Sequence, residues 1–572
     1  MLTGLRVGNF KAFADTQYIP IRPLTLIFGA NSAGKSSFIH SLLMACHASE
    51  TGELDIHRTR VGGESVDLGG FRQYIHRRDY GRRVDYSIEI DTAQLSGRLA
   101  ELLAPGRRVA VTVTIGIQLD DKGLPKPNAL PEIQTYEIQI DGSSLLKMSL
   151  RPDGTLQLDR LEQDHPVLRI LIKAILETTT TAESIRPADQ EGLNRAISEL
   201  VPHILTRVEG LLPRGLLRFG VREYAGQGKV EVKNFLQRGL FEGMAAPESS
   251  VASEEPMLFP ISQGRREEDL ANAIRFFLPR TIDELIRGLR DVIGNELGRL
   301  QYLGPLRSYP PRHIAFAQHH DQNWFAGGGY AWDVVRKNRQ VRDAVNAWLN
   351  SPERLQTPYL LAIRELVGAE DLQTPLTDML QQAAELVNEE GVIPIFDDPE
   401  SAATAFVKKV SSGEIDKINE LILMDNRTRT QVSHRDVGIG ISQVLPVLVT
   451  AYASKNKILA IEQPEIHLHP ALQAELGDVF IESALGERKN TMILETHSEH
   501  LILRIMRRMR ETAQKKLDSG HPPVKPSDVA VLYIQADRSG AKVLELRLDE
   551  EGTLLDPWPG GFFEEGFRER FA

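Results

Sequence analysis

Gly29-Ala30-Asn31-Ser32-Ala33-Gly34-Lys35-Ser36, followed by Ser37, is the stretch on which the fold of this chain turns. It fits G-x-x-x-x-G-K-[ST], the pattern of a phosphate-binding loop. An apolar strand pattern, Leu24-Thr25-Leu26-Ile27-Phe28, runs into it. A helical pattern, Lys35 to Cys46, leaves it, with Phe38, Ile39, Leu42, Leu43 and Ala45 available for a buried face. The glycines let the main chain turn tightly, so that successive N–H groups face phosphate oxygens, and the helix start adds a favourable dipole. Lys35 is expected to reach the β- and γ-phosphates, and the Ser36 hydroxyl to hold Mg2+. Gly29, Asn31, Ser32, Ala33, Gly34, Lys35, Ser36 and Ser37 are therefore the expected contacts to ATP. The alternative, a Gly-rich turn without a ligand, is disfavoured by the strand and helix flanks.

Such a loop needs a carboxylate on a neighbouring strand to position Mg2+ through water. Lys457-Ile458-Leu459-Ala460-Ile461-Glu462 is an apolar strand ending in an acid, followed by Gln463-Pro464-Glu465. Glu462 is read as that carboxylate, so Ser36 and Glu462 are the expected metal set. Thr491-Met492-Ile493-Leu494-Glu495 is another strand, with Thr496-His497-Ser498 at its end, where a histidine can sense the γ-phosphate. Upstream, Val437-Gly438-Ile439-Gly440-Ile441-Ser442-Gln443 is a Gly-rich turn opening a helical run. Lys35, Glu462, Gln463, Glu465 and His497 form the expected catalytic group.

The chain has 572 residues, more than one hydrophobic core usually organises. Its hydrophobic share of 41% and charged share of 25% are those of a soluble globular protein. A net charge of −11 excludes a uniformly basic polyanion binder, so contact with nucleic acid is left to local basic patches. The single cysteine, Cys46, excludes an internal disulfide and fits a reducing compartment. No long uncharged apolar run and no signal-peptide core are present, so a cytoplasmic protein without a membrane span is expected. Short alternating runs such as Val109–Gln118 and Ile133–Ile140, with a turn at Pro152-Asp153-Gly154, predict an antiparallel lobe over 84–160. The pattern is then mainly helical to about 400, broken by a loop over Met244–Glu255. From Val410 strands and helices alternate, ending in a hairpin at Arg538-Ser539-Gly540. The expected units are 1–83 and 401–572, which make one α/β nucleotide-binding head from both chain ends, the antiparallel lobe 84–160, and an inserted mainly helical region 161–400.

A distant P-loop followed by a Gly-rich turn, an acid-ended strand and a Thr-His-Ser strand end resembles the ABC-type ATPase head of the SMC, RecF and overcoming-lysogenization-defect (OLD) branch. Ile461–Pro470, Glu495–Leu501 and Trp558-Pro559-Gly560-Gly561-Phe562-Phe563 look most like bacterial stand-alone ATPases of defence systems, such as the Septu-like ATPase subunits. Asn9-Phe10-Lys11-Ala12-Phe13 and Tyr302-Leu303-Gly304-Pro305-Leu306-Arg307 are similar to the same group, although the second carries no mechanism readable from sequence. The resemblance implies a head-to-tail homodimer or higher oligomer, in which Gly438, Gly440 and Ser442 of one copy contact the γ-phosphate held by the other. The usual signature begins with a serine and two glycines. This turn lacks that order, which favours donation from its backbone N–H groups.

Most such heads place a water-activating glutamate after the Walker B acid. Here the residue is Gln463, and an amide is no general base. It can orient a water, and Glu465 can supply charge, so slow hydrolysis is expected. His467 and His469 are read as loop contacts rather than metal ligands, and Cys46 as core. Arg504, Arg507, Arg508 and Arg510, with Lys515 and Lys516, and Arg72, Arg77, Arg78, Arg82 and Arg83, are read as a solvated face or inter-subunit pairing before DNA contacts. No TOPRIM nuclease is expected in the segment after His497. Two readings follow. One is a regulatory or sensor subunit of an antiphage defence system with a separately encoded effector, such as a nuclease or toxin. The other is a DNA-repair or chromosome-maintenance ATPase similar to RecF or SMC. A transporter subunit is a weaker third.

Overall fold

The structure is a computed structural model that describes residues 1–177, 189–215, 218–219, 266–307, 323–352, 354, 356–368, 370–373, 376–378, 380–381, 399–411, 417–432 and 439–563. The loop expected over Met244–Glu255 and Gly438 of the Gly-rich turn lie outside these residues. The described part is α/β, and three sheets organise it.

The first is a ten-stranded antiparallel sheet. Its strands are β1 (Leu2–Gly8), β2 (Gln17–Pro20), β4 (Val84–Asp91), β5 (Arg108–Gly116), β6 (Glu132–Ile140), β7 (Ser143–Leu150), β8 (Thr155–Leu161), β9 (Ile204–Glu209), β10 (Leu212–Pro213) and β11 (Arg218–Phe219). It is larger than the lobe expected over 84–160. β1 pairs with both β2 and β4, and β9 extends the far edge beyond β8. The second sheet has the order β12 (Leu300–Leu303), β16 (Ile458–Glu462), β17 (Thr491–Glu495), β3 (Leu24–Gly29), β18 (Val529–Ala536), β19 (Ala541–Leu546). All its pairs are parallel except β18–β19, the expected hairpin. β13 (Tyr359–Val367), β14 (Lys417–Asp425) and β15 (Thr430–Val432) form the third sheet.

The parallel sheet is the head, and it is assembled from both ends of the chain. β3, β16 and β17 are buried at every residue, as near-continuous apolar strands covered on both faces must be. Alternate side chains divide between two cores. Ile27, Ala460, Ile493 and Leu532 join the helix Lys35–Thr51 and the antiparallel sheet on one face. Leu26, Phe28, Leu459, Ile461 and Leu494 join the helices Ile439–Ala453, Pro470–Leu485 and Glu499–Ala513 on the other. β12 belongs to this sheet, although it falls within the region expected to be an insertion. Its apolar Leu300–Leu303 pairs in parallel with β16.

Two arginines of the basic helix Glu499–Ala513 turn inward, while Arg507 and Arg510 are exposed. Arg504 reaches Glu475 (2.6 Å) and Asp478 (2.5 Å), and Arg508 reaches Asp478 (2.7 Å) and Glu511 (2.8 Å). Arg507 reaches Glu511 at 2.7 Å. The Arg508 and Asp478 side chains are only 8% and 6% exposed, and without Arg508 the buried Asp478 carboxylate still has Arg504 at 2.5 Å. Arg508→Ala should therefore cost about 2 kcal/mol of stability, the scale of lost hydrogen bonds to a charged group, read as a lower denaturant midpoint with unchanged slope. A shift of less than about 1 kcal/mol would mean that the pair is solvated in solution.

Candidate nucleotide site

The C-terminal ends of β3, β16 and β17 meet at one edge of the parallel sheet, the edge where open α/β sheets bind ligands. The β3 chain turns there into the P-loop. Gly29 and Gly34 have φ of 148° and 101°. A Cβ on Gly29 would stand 2.5 Å from the Ile534 carbonyl oxygen, and one on Gly34 would stand 2.4 Å from Ala12 Cβ. Neither position admits a side chain. The helix then starts at Lys35 with no side-chain cap and no acid in its first turn, which leaves its leading N–H groups to an outside anion.

Lys35 Nζ donates to the carbonyls of Gly29 (3.1 Å) and Ala30 (3.0 Å), and lies 4.0 Å from Glu495. The ammonium is thus folded back over the loop's own acceptors, which phosphate oxygens can replace. Burial lowers its pKa, opposed by Glu495, Glu465 and Glu462 in turn. Ser36 Oγ donates to Glu495 Oε2 at 2.8 Å. Glu462 stands beside Glu495 in the β16–β17 register, and its Oε1 accepts from Tyr302 Oη at 3.0 Å. Burial first, and the Glu495 charge second, push the Glu462 carboxyl up to about 7. Glu495 is also raised, mainly by burial. A hydroxyl beside two buried, mutually repelling carboxylates suits a hard divalent cation, so Ser36, Glu462 and Glu495 would hold Mg2+. When bound there, Mg2+ supplies charge neutralisation on the phosphates. Among the described residues no group of three or more His, Cys, Asp or Glu is placed to hold a metal by itself.

The remaining expected residues separate into those at this edge and those behind it. Gln463 follows Glu462 with φ 46°, and its N–H donates to the Glu495 carbonyl at 2.7 Å. Glu465 is buried with both oxygens engaged. Oε2 accepts from Thr496 Oγ1 (2.8 Å) and Oε1 from the His497 N–H (2.7 Å). It therefore ties the loop after β16 to the end of β17 and is poorly disposed to serve as a base. Burial, then Lys35, lowers the His497 pKa, so its ring is neutral. Its Nε2 is buried with no hydrogen-bond partner among the described residues, as a group awaiting a ligand would be. Gly440 backs onto this loop, since a Cβ there would stand 2.7 Å from the His467 carbonyl oxygen. The Ser442 side chain is buried in its own subunit. His469 Nδ1 accepts from the Ala471 N–H at 3.3 Å and caps the helix Pro470–Leu485.

Four residues unassigned in sequence also reach this edge. Glu495 ends β17 in the same apolar-strand-then-acid pattern that pointed to Glu462, a signal that marks a strand-end acid but not its place beside Ser36. Tyr302 is a lone hydroxyl in an apolar strand. Arg307 is described below. Lys11 Nζ lies 2.7 Å from His40 Nδ1, and burial lowers its pKa to about 8, opposed by Asp67 and Glu462. The aromatic tail packs on the strand that feeds the P-loop. Trp558 and Phe563 meet the Phe28 ring edge-on at 5.1 and 5.8 Å, and Phe562 lies 6.3 Å from the His497 ring.

Residues 336–502, which span the Gly-rich turn, Glu462 and His497, match a protein family described as AAA ATPase domain. Residues 336–502 therefore carry an ATPase-type segment, and the P-loop at Gly29–Ser37 lies outside that match. Residues 524–570 of this ATPase, with β18, β19 and the aromatic tail, match a family described as Protein of unknown function (DUF3696). No curated protein sequence matches the ATPase chain. Among solved structures it is similar to an Smc head bound to the C-winged helix domain of ScpA, at 9% identity and TM-score 0.32 over 96% of this chain and 98% of that one. It is likewise similar to an Smc head with an extended coiled coil from Pyrococcus furiosus, at 10% identity and TM-score 0.31 over 96% of each chain. The SMC head domain from Thermotoga maritima gives 8% identity and TM-score 0.30 over 96% of this chain and 99% of that one. Among the described residues, no helix of the ATPase is long and apolar enough to cross a membrane.

Proposed function

We propose that this ATPase binds Mg2+ and ATP at the P-loop edge, closes as a head-to-tail homodimer, and hydrolyses ATP slowly. We further propose that it is the regulatory or sensor subunit of a prokaryotic antiphage defence system whose effector is a separate protein. The observation that carries the nucleotide reading is the meeting of Lys35, Ser36, Glu462, Glu495 and the His497 Nε2, which has no partner among the described residues, at one sheet edge. Backbone N–H groups of the P-loop and Lys35 would hold the phosphates. His497, kept neutral and fixed through Glu465, would donate or accept a single hydrogen bond at the γ-phosphate. The buried Ser442 side chain supports backbone rather than side-chain donation from the turn of the second copy.

Gln463 stands where a base is usual, and both oxygens of Glu465 are engaged elsewhere. Gln463→Glu should therefore raise turnover, by about tenfold or more, since a positioned base contributes roughly 10²–10⁴-fold. If neither Gln463→Glu nor Glu465→Gln changes the rate, both residues lose their assigned roles. The defence reading rests on the motif resemblance. Direct action on DNA is favoured less, because Arg504 and Arg508 are buried in ion pairs within the chain. Affinity capture from the native host, with and without ATP, separates the two. Recovery of an ATP-dependent nuclease or toxin partner supports the sensor role, and recovery of DNA with no protein partner sinks it.

A further inference from the structure

Arg307 lies just beyond β12, and its side chain is 5% exposed. Its guanidinium donates to three main-chain carbonyls from two elements. NH2 reaches Glu462 (2.8 Å) and Gln463 (3.2 Å), and NH1 reaches Gln443 (3.2 Å). Gln443 answers through Nε2, which donates to the Arg307 carbonyl at 3.0 Å. Gln443 sits near the start of the helix Ile439–Ala453, which the Gly-rich turn opens. One buried cation therefore joins the end of β16, including Gln463 in its left-handed conformation, to that helix.

This is an expensive way to fill a core. The Nε is buried with no partner among the described residues, and NH1 and NH2 donate there to neutral carbonyls rather than to a carboxylate. A well-packed apolar side chain usually serves stability as well or better at such a place. What the planar fork supplies instead is geometry, since it holds three acceptors in fixed relation, which a lysine ammonium cannot reproduce. Burial lowers the Arg307 pKa to about 10, opposed by Glu465, Tyr302 and Glu462, so the fork stays charged at neutral pH. The left-handed φ of 46° at Gln463 is a sparsely populated state for a residue with a side chain, and it is held by the Arg307 bond to its carbonyl and the Glu495 carbonyl bond to its N–H.

We infer that Arg307 is a positioning residue that couples the Glu462–Gln463 end of β16 to the Gly-rich helix of the same subunit. The inference rests on the ATP site proposed above. A change at Gln463 on nucleotide binding moves two of the three carbonyls that Arg307 holds. The third, at Gln443, then shifts the turn that a second copy would meet. Tyr302, from the strand just before Arg307, fixes the Glu462 carboxylate, so one short segment holds both the side chain and the carbonyl of the Walker B residue.

The test is amide hydrogen exchange on the full chain, parent against Arg307→Ala and Arg307→Lys, with and without Mg2+ and ATP. In the parent, ATP should slow exchange at 29–37 and alter it at 439–446. In Arg307→Ala the response at 29–37 should remain and that at 439–446 should be lost. Arg307→Lys should fall between, and it replaces the alanine variant if that one fails to fold. Turnover should fall about tenfold or more in Arg307→Ala while ATP affinity stays within about threefold. Retention of both exchange responses in a folded variant overturns the inference. Without nucleotide, Arg307→Ala should also speed exchange at Gln463 and 440–444, and unchanged exchange there overturns the inference whether or not ATP binds. A parent that shows no response at 29–37 instead overturns the ATP reading.

Discussion

Lys35→Ala is expected to reduce ATP turnover to background, a loss of at least about 100-fold, because in the proposed site the lysine would neutralise the transferring phosphoryl group. The geometry makes the effect large. Lys35 Nζ is buried, and its acceptors in the chain are carbonyls of the P-loop itself together with the nearby Glu495 carboxylate. The loop cannot recruit another cation easily. Lys11 is engaged with His40, and Arg307 is held on carbonyls of the neighbouring elements. Loss of the ammonium also leaves Glu462 and Glu495 facing each other with one less opposing charge. Colorimetric phosphate release by matched preparations checks this. A variant that retains a tenth of the parental rate would remove Lys35 from the phosphate site.

Glu462→Gln has the second largest effect, and it separates binding from chemistry. The amide keeps the shape of the side chain and can still meet the Tyr302 hydroxyl, so the fold is retained. The phosphates stay held by the P-loop N–H groups and Lys35, so ATP affinity changes little. Turnover is expected to fall about 100-fold, because the proposed Mg2+ site would lose one of its two carboxylates. The pH dependence has a definite sign. The Glu462 carboxyl is pushed up to about 7 from its ordinary 4.5, so without ligands the folded chain holds a proton that the unfolded chain has released. Its contribution to stability is fully present below about 4.5 and is lost as pH rises through about 7. Thermal midpoints across that window should fall with pH in the nucleotide-free parent and fall less in Glu462→Gln. Identical slopes in the two would place the titration on another group.

The position of the candidate P-loop was legible because its pattern falls in consecutive residues. Gly29, Gly34, Lys35 and Ser36 lie in one short stretch between β3 and the helix that follows. The placing of Glu462 and His497 at the same sheet edge was legible for a similar reason, as polar residues closing apolar strands. Glu495 was not, because its role comes from the parallel register that sets it beside Glu462 and over Ser36. Tyr302 and Arg307 lie far upstream of the groups they touch, and only the pairing of β12 with β16 brings them there. The antiparallel sheet was anticipated from alternation, but alternation does not name a strand's neighbours. β1 and β2 therefore joined it unannounced. Arg507 and Arg510 are exposed, as a solvated face requires, whereas Arg504 and Arg508 turn inward because their acids, Glu475 and Asp478, sit on another helix. The aromatic tail likewise gains meaning only where Trp558 meets Phe28.

The central claim is that the two ends of the chain make one ATP site. Calorimetric titration of Mg2+ and ATP into the purified full chain tests it most directly, run on the parent, Glu462→Gln and Lys35→Ala. The account predicts saturable binding in the parent, nearly the same affinity in Glu462→Gln when Mg2+ is in excess, a lower Mg2+ dependence in that variant, and no measurable binding in Lys35→Ala. Equal ATP affinity in the parent and Lys35→Ala, or a Mg2+ dependence untouched by Glu462→Gln, would contradict it.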